Sequence, residues 1–442
     1  MNPPVPSMSD DGRLAGRPSI ALLGTGGSSG RTLTAIEAQL RALRPDVDIL
    51  FIDTQPFNLR TGGVTRYDGQ GEIRRASPAD CGLRRWTGSQ TLNLLLNGGP
   101  IAYARIERLM RRLLGRRHDA VVMCHDRIYA ETALIRAARR LGTPTVLVQE
   151  GPFCAIGHAG RQSGSLAVKS ALAPLVTRSG LLPAIPDYGC AGHDLILAAS
   201  DDYRRQWIAA GVPADRILVA GVPRYDPLAA LRDRFRVMPR REGPARILYL
   251  VQPFAAHGKV DRQAAEQLQR VLAEGLNLAA ETTQFEFIIR AHPRSGSDDV
   301  ATLRRLLKLA PTDDPGTVPL EERLADIDIV MGHYSSGLLE AATLGRPVLC
   351  LPVPEAAFSE ESEARKQAWL VEAGATVVTN ANQIATMVKQ SSNYPGIQIA
   401  WSNVERETGR VDGRASLRCA EAILSTAVGV AFEWSPYGRL MR

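Results

Sequence analysis

Two doubly wound α/β domains are what this sequence predicts, and three observations carry the expectation. At 442 residues the chain exceeds what one hydrophobic core usually organises. Short apolar runs alternate with amphipathic helical stretches, the pattern of a parallel sheet covered by helices on both faces. The series then stops in a basic stretch between Asp226 and Gly243 and starts afresh at Ala245.

Taken in order, residues 1–17 carry three prolines and no apolar segment, so they read as a disordered leader and not a signal peptide. The first domain, 18–225, begins with the strand SIALLGTGG, the helix TAIEAQLRALRP and the strand VDILFID. It continues with the strand DAVVMCHD, the helix ETALIRAARRLG ended by Gly142, the strand TPTVLVQEG, and then LILAASDDYRRQWIAAGV and RILVAGVPRYD. An irregular linker is expected over 226–244. The second domain, 245–414, starts with ARILYLVQP and runs through a helix from Asp261 to Ala280, the strand FEFIIRAHP and the helix DVATLRRLLKLA. Next come the apolar run Ile327 to Met331, a turn, a helix from Ser335, and the strand leading to Pro352. A short strand GATVV, a helix from Asn380 to Lys389 and a last helix from Ser416 to Val428 follow; residues 415–442 form a helix and tail that can cross back to the first domain. Segments 60–90 and 155–190, rich in glycine, serine and arginine, are expected to be long irregular loops covering a site.

With 45% apolar and 22% charged residues the composition is that of an ordinary globular protein, and no apolar run is long enough to cross a bilayer. Six scattered cysteines, with no C-x-x-C pair, fit neither a zinc site nor a disulfide framework, and suggest a reducing cytoplasm. The net charge of +7 raises nucleic acid as a partner, but aromatic residues make up only 5% and none interleave with basic runs, so none is expected. Arg105, Arg108, Arg111, Arg112, Arg116 and Arg117 share one amphipathic segment with Ile101, Ile106, Leu109, Met110, Leu113 and Leu114. Such a segment is either a solvated helix face or a contact for an anionic membrane surface.

Parallel sheets bind ligands at the carboxyl ends of their strands, so the residues there are the candidates for chemistry. Gly26, Gly27 and Ser28 follow the first strand in a glycine loop that lacks the G-x-G-x-x-G spacing of a dinucleotide site. His125, Asp126 and Glu150 follow two later strands, where an imidazole or carboxylate can take a proton from a hydroxyl. In the second domain Gln252, His257 and Lys259 follow one strand, and Arg290, His292 and Arg294 another; cations there would neutralise a departing phosphate. Ser335, Ser336 and Gly337 open a helix whose first amides and dipole favour an anion, and Glu340, about one turn further in, could bind a ribose diol. Capping serines and a solvated Glu340 would explain the same residues without a ligand. Both D-x-D triplets, at Asp46 and Asp326, lie in or before apolar strands, so no metal is expected.

These residues resemble a family: the two-domain nucleotide-sugar enzymes of the GT-B fold, and within them the UDP-GlcNAc 2-epimerase-like group. The resemblance spans roughly Ser19 to Pro354. The segment from Cys124 to Gly151 is similar to one carrying an H-G-D turn and a later E-A-G, and Leu197 to Asp226 resembles the family's route to a G-N-P-x-x-D turn. YSSGLLEAATLGRPVLCLP resembles D-S-G-G-x-x-E-E-A-x-x-x-G-x-P-V-L. The resemblance implies two Rossmann-like doubly wound domains facing a central cleft. It places Asp126 and Glu150 at acidic catalytic positions, and Ser335, Ser336 and Glu340 on phosphate and ribose.

Two departures separate the reactions this family performs. Epimerases carry G-T-R-P-E after the first strand and H-R-R-E after the first strand of the second domain; here the chain reads Gly24 to Ser28 and Gln252 to Ala255. The GTGG loop is instead similar to acceptor loops of GT-B glycosyltransferases, and His292-Pro293 with Ser335-Ser336 resembles bacterial enzymes that use CMP-activated sugars. The resemblance therefore implies an inverting glycosyltransferase of bacterial surface polysaccharide synthesis. Its donor would be UDP- or CMP-activated, its acceptor a glycan or lipid-linked glycan, and no cofactor is expected. The chain would work in the cytoplasm or at the inner face of the membrane. A 2-epimerase and a non-catalytic binding protein are the alternatives.

Overall fold

A computed structural model describes residues 16–58, 65–87, 89–152, 178–237, 242–254, 258–292, 295–359, 361–393, 400–428, 433–435 and 438–440. The expected leader lies almost wholly outside the described residues, as do His257, Arg294 and most of 155–190. The described residues form two compact units, one drawn from Met1–Gly151, Ala171–Asp226 and Thr408–Arg442, the other from Pro152–Ser170 and Pro227–Glu407.

In unit 1 seven strands form one sheet: β1 (Ser19–Gly24), β2 (Asp48–Asp53), β3 (Glu72–Arg75), β4 (Ala120–Met123), β5 (Thr145–Val148), β6 (Leu195–Ala198) and β7 (Ile217–Val219), in the order β3-β2-β1-β4-β5-β6-β7. Every pair is parallel. Ile20 to Leu23 are all wholly buried, which is why β1 reads as a continuous apolar run and not an alternating one. Helices α1 (Ser29–Leu43), α2 (Gln90–Leu96), α3 (Pro100–Leu114), α4 (Tyr129–Arg140) and α5 (Asp201–Ala209) belong to this unit.

Unit 2 repeats the plan with β8 (Ala245–Leu250), β9 (Phe285–Arg290), β10 (Thr312–Asp314), β11 (Ile329–Gly332), β12 (Val348–Cys350) and β13 (Thr376–Val377), in the order β10-β9-β8-β11-β12-β13. All its pairs are parallel too. Its helices are α6 (Asp226–Val237), α7 (Arg262–Ala280), α8 (Asp298–Leu306), α9 (Leu320–Arg323), α10 (Ser336–Thr343), α11 (Glu361–Glu372), α12 (Ala381–Lys389) and α13 (Trp401–Thr408). A final helix, α14 (Ala415–Val428), packs Cys419, Ala420 and Ile423 against Leu33, Ile36 and Leu40 of α1. Its first turn is capped by Asp226, whose carboxylate accepts from the amides of Ala415 and Ser416, each at 2.8 Å.

Three elements depart from expectation. The stretch after Asp226, expected to be an irregular linker, is helical in α6, because Leu228 and Phe235 recur on one buried face of a turn-by-turn pattern that its arginines obscure. Strand β3 falls where a loop was expected, and β10 just past the end of an expected helix, in a stretch with no expected element. Both are short and mostly exposed, so they show no apolar run and owe their form to pairing with the strand beside them.

Candidate active site

In each unit the order of strands reverses at one place, between β1 and β4 in unit 1 and between β8 and β11 in unit 2. Loops leaving those neighbours run to opposite sides and open a crevice at the carboxyl edge of the sheet.

The unit 1 crevice is bordered by the loop Thr25 to Ser28. Gly26 (φ 92°) and Gly27 (φ 71°) both take left-handed conformations, which lets the chain turn from β1 into α1 within four residues. The hydroxyl of Ser29 donates to the Gly26 carbonyl at 2.8 Å and pins the turn. Gly30 passes so near the Arg66 carbonyl that a Cβ there would stand 2.2 Å from its oxygen. Across the crevice, β4 delivers His125 and β5 delivers Glu150, and His125 Nε2–H donates to Glu150 Oε1 at 2.9 Å. Their side chains keep 30% and 15% of their surface, enough to meet a ligand.

Electrostatics fix the resting charges of this pair. Burial works against the charge on His125, but the Glu150 carboxylate, with Glu131 and Asp126 adding to it, outweighs burial and raises the imidazole to about 9. Burial also opposes ionisation of Glu150, yet His125, Arg224 and the Ser28 hydroxyl together hold its carboxyl below the ordinary value. At neutral pH the pair is imidazolium and carboxylate. Arg224 reaches it from the turn after β7, donating from Nε to the Glu150 carbonyl at 2.6 Å.

Asp126, expected beside them as a base, is wholly buried. Its Oδ2 accepts from the amides of Gly189 and Ala191, at 3.0 and 3.4 Å, and lies 3.3 Å from His193 Nε2. In that place it anchors the loop 189–193. Glu131 was not among the expected residues. It sits in the first turn of α4, accepts from the Ile128 amide at 2.9 Å, and is pushed by burial to about 7, a value His125 moderates. By residue type and position it is an ordinary helix-start carboxylate, and only its burial distinguishes it.

In unit 2 Ser335 caps α10, its side chain accepting from the Leu338 amide at 3.2 Å. Ser336 is exposed and Glu340 half-buried. The amides of the first helical turn find no carbonyl within the helix and point out of its start. Gly337 serves packing as well: a Cβ there would come within 2.8 Å of Leu320 and 3.1 Å of Leu250. Half-buried Gln252 follows β8, and Phe254 packs on His333 and Tyr334 with ring centroids 5.2 and 5.8 Å apart, seating this segment against the turn into α10.

His333 was not expected either. Its ring lies 2.9 Å from Tyr249 Oη on one side and 2.9 Å from the Leu351 carbonyl on the other, while burial pushes it down to about 4. The ring is therefore neutral, with Nδ1–H donating to Leu351 and Nε2 accepting from the tyrosine, and it ties the turn to β8 and β12. Arg290, expected to face a phosphate, is held instead by Asp314 at 2.9 Å and by the Val318 carbonyl at 2.9 Å. His292 and Lys259 are half-buried at the same edge of the sheet, their carbonyls accepting from Ser295 and Ser359. Among the described residues no group of three or more His, Cys, Asp or Glu side chains is arranged to hold a metal ion.

Two parallel α/β units, each doubly wound about its own crevice, define the GT-B fold of two Rossmann-like domains. Comparison with solved structures agrees. Staphylococcus aureus MnaA in complex with UDP matches with a TM-score of 0.58 at 13% identity, over 95% of this chain and 100% of that one. UDP-GlcNAc 2-epimerase from Neisseria meningitidis bound to UDP-GlcNAc gives 0.54 at 13% identity, over 93% and 99%. A variant of the wall teichoic acid polymerase TagF gives 0.50 at 13%, over 92% and 89%. At such identities the likeness is one of fold. No protein-family model matches the chain, and a search of curated proteins found no match.

Proposed function

We propose that this chain is a nucleotide-sugar-dependent glycosyltransferase, acting on a glycan or lipid-linked acceptor in bacterial surface polysaccharide synthesis. The observation that carries the reading is the His125–Glu150 pair, 2.9 Å apart, at the crevice edge beside the glycine loop. Glu150 holds Nε2–H, so the base form of His125 presents a bare Nδ1 to an acceptor hydroxyl. As the acceptor oxygen bonds to the anomeric carbon, its proton passes to Nδ1 and the bond from that carbon to the donor phosphate breaks. Glu150 stabilises the imidazolium that forms. The nucleotide is the leaving group, and unit 2 supplies its site: amides and hydroxyls of Ser335, Ser336 and Gly337 for phosphate, Glu340 for ribose, with Gln252, Lys259 and His292 at the same edge. Attack opposite the leaving group inverts the anomeric centre.

The rival reading, 2-epimerisation of a nucleotide sugar, is favoured by two titrating groups near one crevice, His125 and Glu131. It is disfavoured by the residues standing where the epimerase-like sequences carry G-T-R-P-E and H-R-R-E. Incubation with UDP-GlcNAc and no acceptor separates the two, because an epimerase makes the ManNAc isomer and a transferase does not. Thermal-shift screening against CMP, CDP, UDP and GDP identifies the nucleotide, since a ligand that binds the folded state raises its melting temperature. No shift with any of the four overturns the nucleotide site.

A further inference from the structure

Unit 1 carries a surface that sugar chemistry does not use. Trp86, Leu92, Leu96, Ile101 and Leu181 are 58%, 45%, 56%, 63% and 46% exposed, and apart from Ile73 and Ile208 they are the large exposed apolar side chains among the described residues of this unit. They lie together. Leu92 and Leu96 stand one turn apart on α2, and the Asn93 and Asn97 side chains, on its neighbouring face, bind the backbone of Arg84, Trp86 and Thr87. The turn Gly98–Gly99 then brings Ile101 and the Leu181 backbone alongside. The solvent face of α3 continues from Ile101 through Arg105, Arg108, Arg111 and Arg112. Residues 84–117 hold eight arginines and one carboxylate, Glu107, which is buried against Arg140 at 2.7 Å.

We infer that this α2–α3 corner docks on an anionic lipid bilayer, with the leucine and tryptophan side chains entering the headgroup boundary and the arginines of α3 lying on lipid phosphates. The charge selects the partner's sign, and the aliphatic side chains select lipid over nucleic acid: leucine and isoleucine neither stack on bases nor read their edges, whereas each removes apolar surface from water in a bilayer. One basic patch or one apolar ridge alone binds weakly, and together they make a two-signal anchor. A pocket of about 50 Å³ opens at this corner between Arg85 and Leu94 and reaches Tyr129 and Ala130, which begin the helix bearing Glu131.

Sedimentation of the full chain with phosphatidylcholine vesicles, with and without about one third phosphatidylglycerol, tests this. The wild-type chain is expected to bind the anionic vesicles, and to lose binding as salt rises from about 0.1 M to 0.5 M. Arg108→Glu with Arg111→Glu is expected to weaken binding at least about tenfold. Leu96→Ser with Ile101→Ser is expected to weaken it at both salt concentrations. All four side chains are exposed, so melting temperatures should match the wild type; if one pair fails to fold, the other decides. A wild-type chain that ignores anionic vesicles overturns the inference, as does unchanged binding in a folded pair. So does binding of a single-stranded RNA through the arginines in the absence of vesicle binding.

Discussion

His125 Nε2 stands 2.9 Å from Glu150 Oε1, and each residue explains the other's ionisation. Partial burial alone would lower the imidazole's pKa, yet it is raised to about 9 because the carboxylate beside it outweighs burial. Neither residue has that property alone.

The first prediction follows from this coupling. If His125 is the base, kcat/KM should climb with pH with a midpoint near 9, as the bare imidazole fills. Glu150→Gln should move that climb to lower pH, since burial then meets only the weaker pull of Glu131 and Asp126 on His125, while the plateau falls about 10²- to 10⁴-fold with loss of the partner that stabilises the imidazolium. A pH–rate profile of both proteins checks it. A climb that stays near 9 in the variant separates the pKa from Glu150 and sinks the assignment.

Stability should report the same pair. The folded pKa of His125 lies above its unfolded value of 6.5, so the stabilisation it brings is fully present below pH 6.5 and is lost as pH rises through about 9. Urea titrations of the wild type and of Glu150→Gln between pH 6 and 10 should show that decline only in the wild type.

Asp126 should behave as a structural residue. Removing its carboxylate by Asp126→Ala strands the amides of Gly189 and Ala191, at a cost of about 1–3 kcal/mol for each buried group left unpaired. The expected result is a large drop in melting temperature. Unchanged stability together with abolished turnover would instead return Asp126 to the chemistry.

In unit 2 the neutral His333 sets an acid limit. Its folded pKa, about 4, lies below the unfolded 6.5, so the contribution present above pH 6.5 drains away as pH falls through about 4. His333→Gln, which keeps a hydrogen-bonding group between Tyr249 and Leu351, should flatten the fall in melting temperature over that window. An equally steep fall in the variant would show that another group controls it.

The alternation of apolar strands and helices was plain in the sequence because buried parallel strands such as Ile20 to Leu23 must be apolar on both faces. Strands β3 and β10 were not, since edge strands are stabilised by neighbours the sequence does not bring near. The site followed the same division. His125 and Glu150 could be picked out because a polar residue ending an apolar strand is conspicuous, and the sheet order sets them side by side. The burial of Asp126, the capture of Arg290 by Asp314 and the perturbed Glu131 depend on contacts 24 to 67 residues away or on depth in the fold, neither of which residue type encodes.

The central claim is that this fold transfers a sugar and does not epimerise one. Proton NMR of UDP-GlcNAc incubated with the chain in D₂O tests it most directly, first alone and then with an envelope lipid and glycan fraction as acceptor. The account predicts that the proton at the sugar C2 is retained throughout. It also predicts that UDP, or CMP from a CMP-activated sugar run in parallel, is released only with acceptor and not by His125→Ala. Deuterium entering C2 without acceptor, with the ManNAc isomer appearing, would contradict it.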